Sequence, residues 1–173
     1  MTGKIMALAI LLCAAVAGGV LYYLQVYGFY DQVADDGAAV QVTLRDGAGL
    51  RVLDYAGFQA IDAESSPIRY RACFTVADPG ALVDMAQVVD NPQPRNAPGW
   101  FDCFDAEAIA AELAAGTATA YLGRKNVHYG VDRIVAITAD GRGYAWHDLN
   151  DCGRKAYDGT VVGEECPPRP GTN

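Results

Sequence analysis

His147 and Asp148 stand side by side, the base-and-carboxylate pairing that proton-transfer catalysis uses. Residues 142–149 have the composition of a strand, however, and neighbours on a strand point to opposite faces. Tyr144, Trp146 and Asp148 then share one face, and Ala145, His147 and Leu149 the other, so the pair does not converge. His147 reads as a hydrogen-bonded structural histidine. The only other histidine, His128, falls in a connection beside Tyr129-Gly130. Two histidines do not make a three-histidine metal site, and neither a Gly-x-Ser-x-Gly elbow nor a His-Glu-x-x-His helix is present.

Arg69 and Arg71 flank Cys73 on one side of an alternating run, Ile68 to Val76. Ile68, Tyr70, Ala72, Phe74 and Val76 form its other side. Two guanidiniums on one face suit an anion, and a solvated face neutralised by neighbouring carboxylates is the alternative. Trp100 and Trp146 are candidates for framing a pocket or meeting a partner, with core packing as the default.

Four cysteines, Cys73, Cys103, Cys152 and Cys166, lie well beyond the N-terminal region, and a fifth, Cys13, lies within it. An even number in an exported domain reads as disulfides. Of the three possible pairings, Cys73–Cys103 with Cys152–Cys166 closes the shortest loops. No Cys-x-x-Cys or Cys-His pair at finger spacing points to zinc, and none to a thioredoxin-like dithiol or covalent haem. No cofactor and no metal are expected.

What positions these residues begins with Ile5 to Leu24, an uncharged stretch of Ile, Leu, Ala, Val and Gly with one Met, one Cys and two Tyr just before its end. As a helix it spans roughly 30 Å, the thickness of a bilayer's hydrocarbon core. A cleaved signal peptide ending at Ala15-Val16-Ala17 and a lipoprotein modified at Cys13 compete with an uncleaved anchor. The apolar run continues through Gly18 to Leu24 and Val26, and Leu12 is too large to precede a lipidated cysteine, so the anchor is preferred. Tyr22, Tyr23, Tyr27, Phe29 and Tyr30 crowd its far end, as interfacial aromatic rings do. Ala14 and Gly18, and Ala15 and Gly19, repeat small residues one turn apart, the spacing at which membrane helices approach closely. Lys4 on the short side and Asp31, Asp35 and Asp36 on the other place the N-terminus in the cytoplasm and the domain outside.

The domains expected are a membrane anchor over 1–30, a short juxtamembrane linker over 31–36, and an exported α+β domain over 37–173 with an extended tail. The chain carries 13 basic and 21 acidic residues, a net charge of −8, and Lys4 is the only charge before Asp31. So acidic a domain repels nucleic acid and anionic headgroups, and nucleic acid is excluded as a partner.

Strands are expected at Val40 to Arg45, Leu50 to Tyr55, Ile68 to Val76, Thr117 to Gly123, Val131 to Thr138 and Arg142 to Leu149, the last two joined by a hairpin at Asp140-Gly141. Gly57 to Pro67 reads as a loop with Phe58 and Ile61 tucked inward. Asp78-Pro79 reads as the start of a helix running to about Val89. Asn91 to Gly99 is an irregular loop. A second helix begins near Asp102 or Asp105 and stops at Gly116, burying Ala106, Ile109, Ala110 and Leu113. The fold class is therefore α+β, an antiparallel sheet with two helices, clipped by disulfides behind one transmembrane helix.

Several long segments carry a resemblance: Tyr22 to Tyr27, Ala60 to Phe74, Pro98 to Asp105, Tyr129 to Arg133 and Gly141 to His147. Nearly end to end, the chain resembles an alphaproteobacterial family of single-pass membrane proteins with a domain of unknown function. That likeness implies a Gram-negative inner-membrane protein with a periplasmic domain, and brings no catalytic residues. Some members are labelled histidine kinases. That label does not suit these residues: neither histidine sits on a dimerising helix, and Gly141-Arg142-Gly143 is a hairpin tip, not a phosphate cradle.

Three functions stay open. The leading one is a non-enzymatic accessory or assembly factor of an inner-membrane complex, held to a membrane-protein partner by anchor and domain. The second is a small-molecule or anion sensor using Arg69 and Arg71 or a Trp-lined pocket. The third is a periplasmic thiol or metal enzyme.

Overall fold

The computed structural model describes residues 2–47 and 49–168, with only the backbone of Thr2. Ala48, and residues 169–173 at the end of the expected tail, lie outside the described residues. The chain opens with α1 (Thr2–Tyr23), whose last turns widen into a π-helical segment, Leu24–Gly28. Gly3–Gly28 is 26 residues long, and its most apolar 18-residue window has a mean hydropathy of 2.4 with no residue buried among the described residues. A helix apolar on every side needs an apolar surround, which makes it a membrane anchor or a signal sequence.

Beyond it lies an antiparallel sheet of six strands in the order β1-β4-β5-β8-β7-β6. The strands are β1 (Asp31–Gln32), β4 (Tyr55–Asp62), β5 (Arg71–Val76), β6 (Ala118–His128), β7 (Val131–Thr138) and β8 (Arg142–Leu149). A two-stranded sheet, β2 (Gln41–Thr43) and β3 (Leu50–Val52), packs beside it. The stretch read as a linker thus contributes a strand, with Asp31 opposite Asp62 and Gln32 opposite Ile61.

Alternation along the strands divides the core into two layers. One face of the sheet carries Tyr70, Ala72, Phe74, Tyr121, Val135, Ile137 and Ala145 under Val40, Val42, Leu82 and Ala86. The other carries Cys73, Ala120, Leu122, Ile134, Ala136 and Trp146 under Phe101, Phe104 and Ile109. The one α-helix among the domain's described residues, α2 (Ala106–Ala115), covers this second face. Asp105 caps it, accepting from the Glu107 and Ala108 amides at 3.0 and 3.1 Å, and Gly116 ends it at φ +72°. Ala110, expected on the buried stripe, is exposed.

Three expectations need correction. The helix from Asp78 to Val89 is only a 3₁₀ turn, Gly80–Leu82, although Asp78 does accept from the Ala81 amide. Its remainder is claimed by strands on either side: Met85 accepts from Arg45, Gln87 donates to Thr43 and accepts from Leu122, and Val89 donates to Ala120. Those bonds stitch the segment between β2 and β6, so helical bonding goes no further than the Ala86 amide, which donates to Leu82 at 2.9 Å. β4 runs through residues 57–62, the first part of the expected Gly57 to Pro67 loop, and Tyr55 opens it rather than ending the strand before. A register shift between Ala56 and Gln59, with Gly57 at φ +64°, breaks the alternation that would have announced it. Shifts between Leu122 and His128, with Asn126 at φ 51°, likewise hide the extension of β6 beyond Gly123.

Both disulfides pair as the loop lengths suggest, Cys73–Cys103 and Cys152–Cys166. The first ties β5 to the loop before α2. The second closes the tail around a small hairpin, in which Lys155 bridges Val161.

Candidate functional site

Three groups of side chains carry the chemistry. The first sits where the apolar helix ends. The last carbonyls of a helix lack partners within it, and here the Val26 carbonyl accepts from the Trp100 indole at 2.6 Å. The Trp100 ring stacks on Tyr27 (centroids 6.2 Å apart, planes 19°) and meets Tyr30 edge-on at 5.9 Å. Tyr27 stacks in turn on Tyr23. Arg69 lies 5.4 Å from the Tyr30 ring centre. Trp100 therefore spends its surface on this chain's own helix, and Cys73–Cys103 holds the loop that presents it.

The second group surrounds Arg71, which is only 4% exposed. Its guanidinium donates to the carbonyls of Arg95 (2.7 Å), Ile68 (2.9 Å), Tyr70 (2.6 Å) and Asn96 (3.0 Å), and lies over Phe104. Burial pushes its pKa down to about 10, which leaves it charged at neutral pH. The expected anion-binding face is thus a fastener: Arg71 pins the loop over 91–99 to the sheet. Trp146 is fully buried beneath that loop, edge-on to Phe104, and faces no partner. Among the described residues its indole N–H finds no acceptor.

The third group centres on His147, 1% exposed on the opposite face of β8. Its Nδ1 lies 2.7 Å from the Pro67 carbonyl and must donate there, so Nε2 accepts from Arg133 Nε at 3.1 Å. Its ring stacks on Tyr70 at 4.7 Å, and the Arg133 guanidinium lies 4.0 Å from the centre of the same Tyr70 ring. Burial, reinforced by the Arg133 charge, drives the His147 pKa down to about 3. The ring is neutral with both nitrogens committed. Asp148 faces the other way, accepting from Arg95 Nε at 3.1 Å.

Above this stack opens a polar cleft of about 230 Å³ lined by Gln41, Asp62, Arg124, Asn126, Val127, His128, Arg133 and His147. A larger one of about 570 Å³, sharing Asp62 and His128, is bounded by Asp31, Glu64, Pro67 and Tyr129. Sequence reasoning found His147 and missed Arg124, Arg133 and Asp62. One signal was available. The Asp140-Gly141 hairpin fixes the β7–β8 register, and counting back from Ile137 opposite Gly143 puts Arg133 opposite His147.

Among the described residues, no three His, Cys, Asp or Glu side chains gather closely enough to hold a metal ion. Ala14, Ala15, Gly18 and Gly19 lie along α1, and among the described residues nothing outside α1 comes within 4 Å of a β-carbon built at either glycine.

Residues 40–167 match the model of a family of unknown function, DUF6446. The chain belongs to DUF6446. The DUF6446 match starts at Val40, so it takes in the polar cleft's residues and both disulfides. It leaves out β1 and the Tyr27 and Tyr30 rings that grip Trp100. No curated protein and no solved structure matches the chain.

Proposed function

We propose that this DUF6446 protein is a non-enzymatic accessory or assembly subunit of an inner-membrane complex in a Gram-negative cell. In this reading α1 stays uncleaved with its N-terminus in the cytoplasm, and the domain stands in the periplasm. Two disulfides in the domain suit an oxidising compartment.

The observation that carries the reading is the seat of Trp100 on the Val26 carbonyl between Tyr27 and Tyr30. A domain on a flexible leash needs no such clasp. A subunit that offers helix and domain to one partner in a set orientation does. The uncovered seam of Ala14, Ala15, Gly18 and Gly19 supplies the helix side of such an encounter.

Affinity purification of the tagged full chain from gently solubilised membranes tests this. The expected result is one membrane protein recovered in constant ratio, lost when Gly18 and Gly19 are replaced by leucine. Recovery of the chain as a lone monomer overturns it.

A second reading, a small-molecule sensor, is favoured by one observation. Arg124 lines the polar cleft and has no hydrogen-bond or ion-pair partner among the described residues.

A further inference from the structure

The small polar cleft holds charges of both signs that do not meet. Arg124 and Arg133 line it together with Asp62, yet Asp62 forms no ion pair with either among the described residues. Opposite charges held apart at one cleft are each left to water or to a molecule that carries the two complementary charges. In a chain of net charge −8, a recess with two arginines is also out of character.

Each group keeps free capacity. Arg133 uses Nε for His147 and Nη1 for the Ala39 carbonyl at 3.4 Å, leaving Nη2 without a hydrogen bond among the described residues. Its plane is set by the Tyr70 ring below it. Asp62 accepts from the Ala63 amide at 2.8 Å through Oδ1 alone, so Oδ2 is open. His147 stays neutral and adds no third positive charge. A guanidinium held flat and half-satisfied is preorganised for an oxyanion.

We propose that this cleft binds a small zwitterion, with its oxyanion on Arg124 and Arg133 and its ammonium group on Asp62. The volume of about 230 Å³ suits a molecule in which the two charges are a few bonds apart. A free amino acid and a phosphoethanolamine headgroup share that chemistry. The headgroup is a credible source because Asp62 pairs with Asp31, three residues past the apolar segment's end at Gly28. On the membrane-anchored reading the cleft lies near the lipid surface. Ligand binding itself does not depend on that reading.

Calorimetric titration of the full chain in uncharged detergent micelles tests the proposal. The probes are O-phosphoethanolamine and L-alanine, with inorganic phosphate and ethanolamine as the separate halves. At least one zwitterion should bind about tenfold or more tighter than either half, as a charged hydrogen bond gained at the second end requires. Asp62→Asn should remove that advantage while sparing phosphate. Arg124→Gln, at an exposed position whose side chain makes no hydrogen bond or ion pair among the described residues, should weaken phosphate and zwitterion alike. Phosphate binding as tightly as both zwitterions, or no binding of either zwitterion, overturns the proposal. The same titration in phosphatidylcholine nanodiscs with and without phosphatidylethanolamine separates the sources. Competition by the lipid assigns the site to the headgroup, and undiminished binding of the soluble probe assigns it to a free molecule.

Discussion

Arg71 and Arg124 belong to the same sheet and differ in almost every respect that matters. Arg71 is sealed under the loop over 91–99, and four backbone carbonyls with the Phe104 ring use up its charge. Arg124 stands at the rim of an open cleft with nothing to pair with among the described residues. Carbonyls fixed by the fold turn a guanidinium into a structural fastener. An arginine without them keeps its charge for something outside the chain. Arg133 lies between these extremes, oriented by His147 and Tyr70 and only partly spent.

Substitutions can sharpen or break that contrast. Arg71→Met should have the largest effect, because it takes the donor from four carbonyls, the Tyr70 one buried and the other three half-buried. A loss of about 3–5 kcal/mol is expected, by analogy with breaking buried charged networks. Thermal unfolding of the full chain in detergent measures it, and a small change would mean that the loop finds other donors. Next comes the double change Cys73→Ala with Cys103→Ala, expected to cost about 3–4 kcal/mol for a loop of this length. The equivalent change at Cys152 and Cys166 should barely move the main denaturant transition, because the tail it closes lies outside both core layers.

His147 gives a smaller, pH-dependent effect. Its folded pKa of about 3 lies below the ordinary 6.5, so the unfolded chain takes up the proton first as pH falls. Its contribution is complete above about 6.5 and declines as pH drops towards 3, with a slope of at most about 1.4 kcal/mol per pH unit. Subtracting the pH profile of His147→Gln from that of the unaltered chain isolates this slope; identical profiles would refute it. The smallest effect belongs to Arg124→Gln. Stability should stay within about 0.5 kcal/mol, as for surface changes that remove no contact. A larger loss in the same unfolding assay would place Arg124 with Arg71.

The legibility of these features followed their locality. The period-two run around Ala72 and Phe74, the Asp140-Gly141 hairpin, the Asp105 cap and the Gly116 stop are all written in a few adjacent residues. The strand, the hairpin and the Gly116 stop are where the chain alone puts them, and of the two candidate caps, Asp102 and Asp105, the structure takes Asp105. β4 was illegible because a bulge at Gly57 shifts its register partway along. The abortive helix after Pro79 has a good start signal, overruled by strands that lie far off in sequence. Trp100 and Arg71 were noticed as residues able to meet a partner. Their partners proved to be Val26, Tyr27 and the 91–99 loop of the same chain.

From residue types and spacing alone, this protein's apolar helix, its disulfide pairing and its antiparallel character were already decided, because each depends on neighbours in sequence or on the shortest loop. Which polar groups stay available was decided only in three dimensions. Asp62, Arg124 and Arg133 come from three different strands, and only the β4, β6 and β7 registers bring them to one cleft. Whether an arginine is spent or free depends on carbonyls whose positions no local pattern encodes.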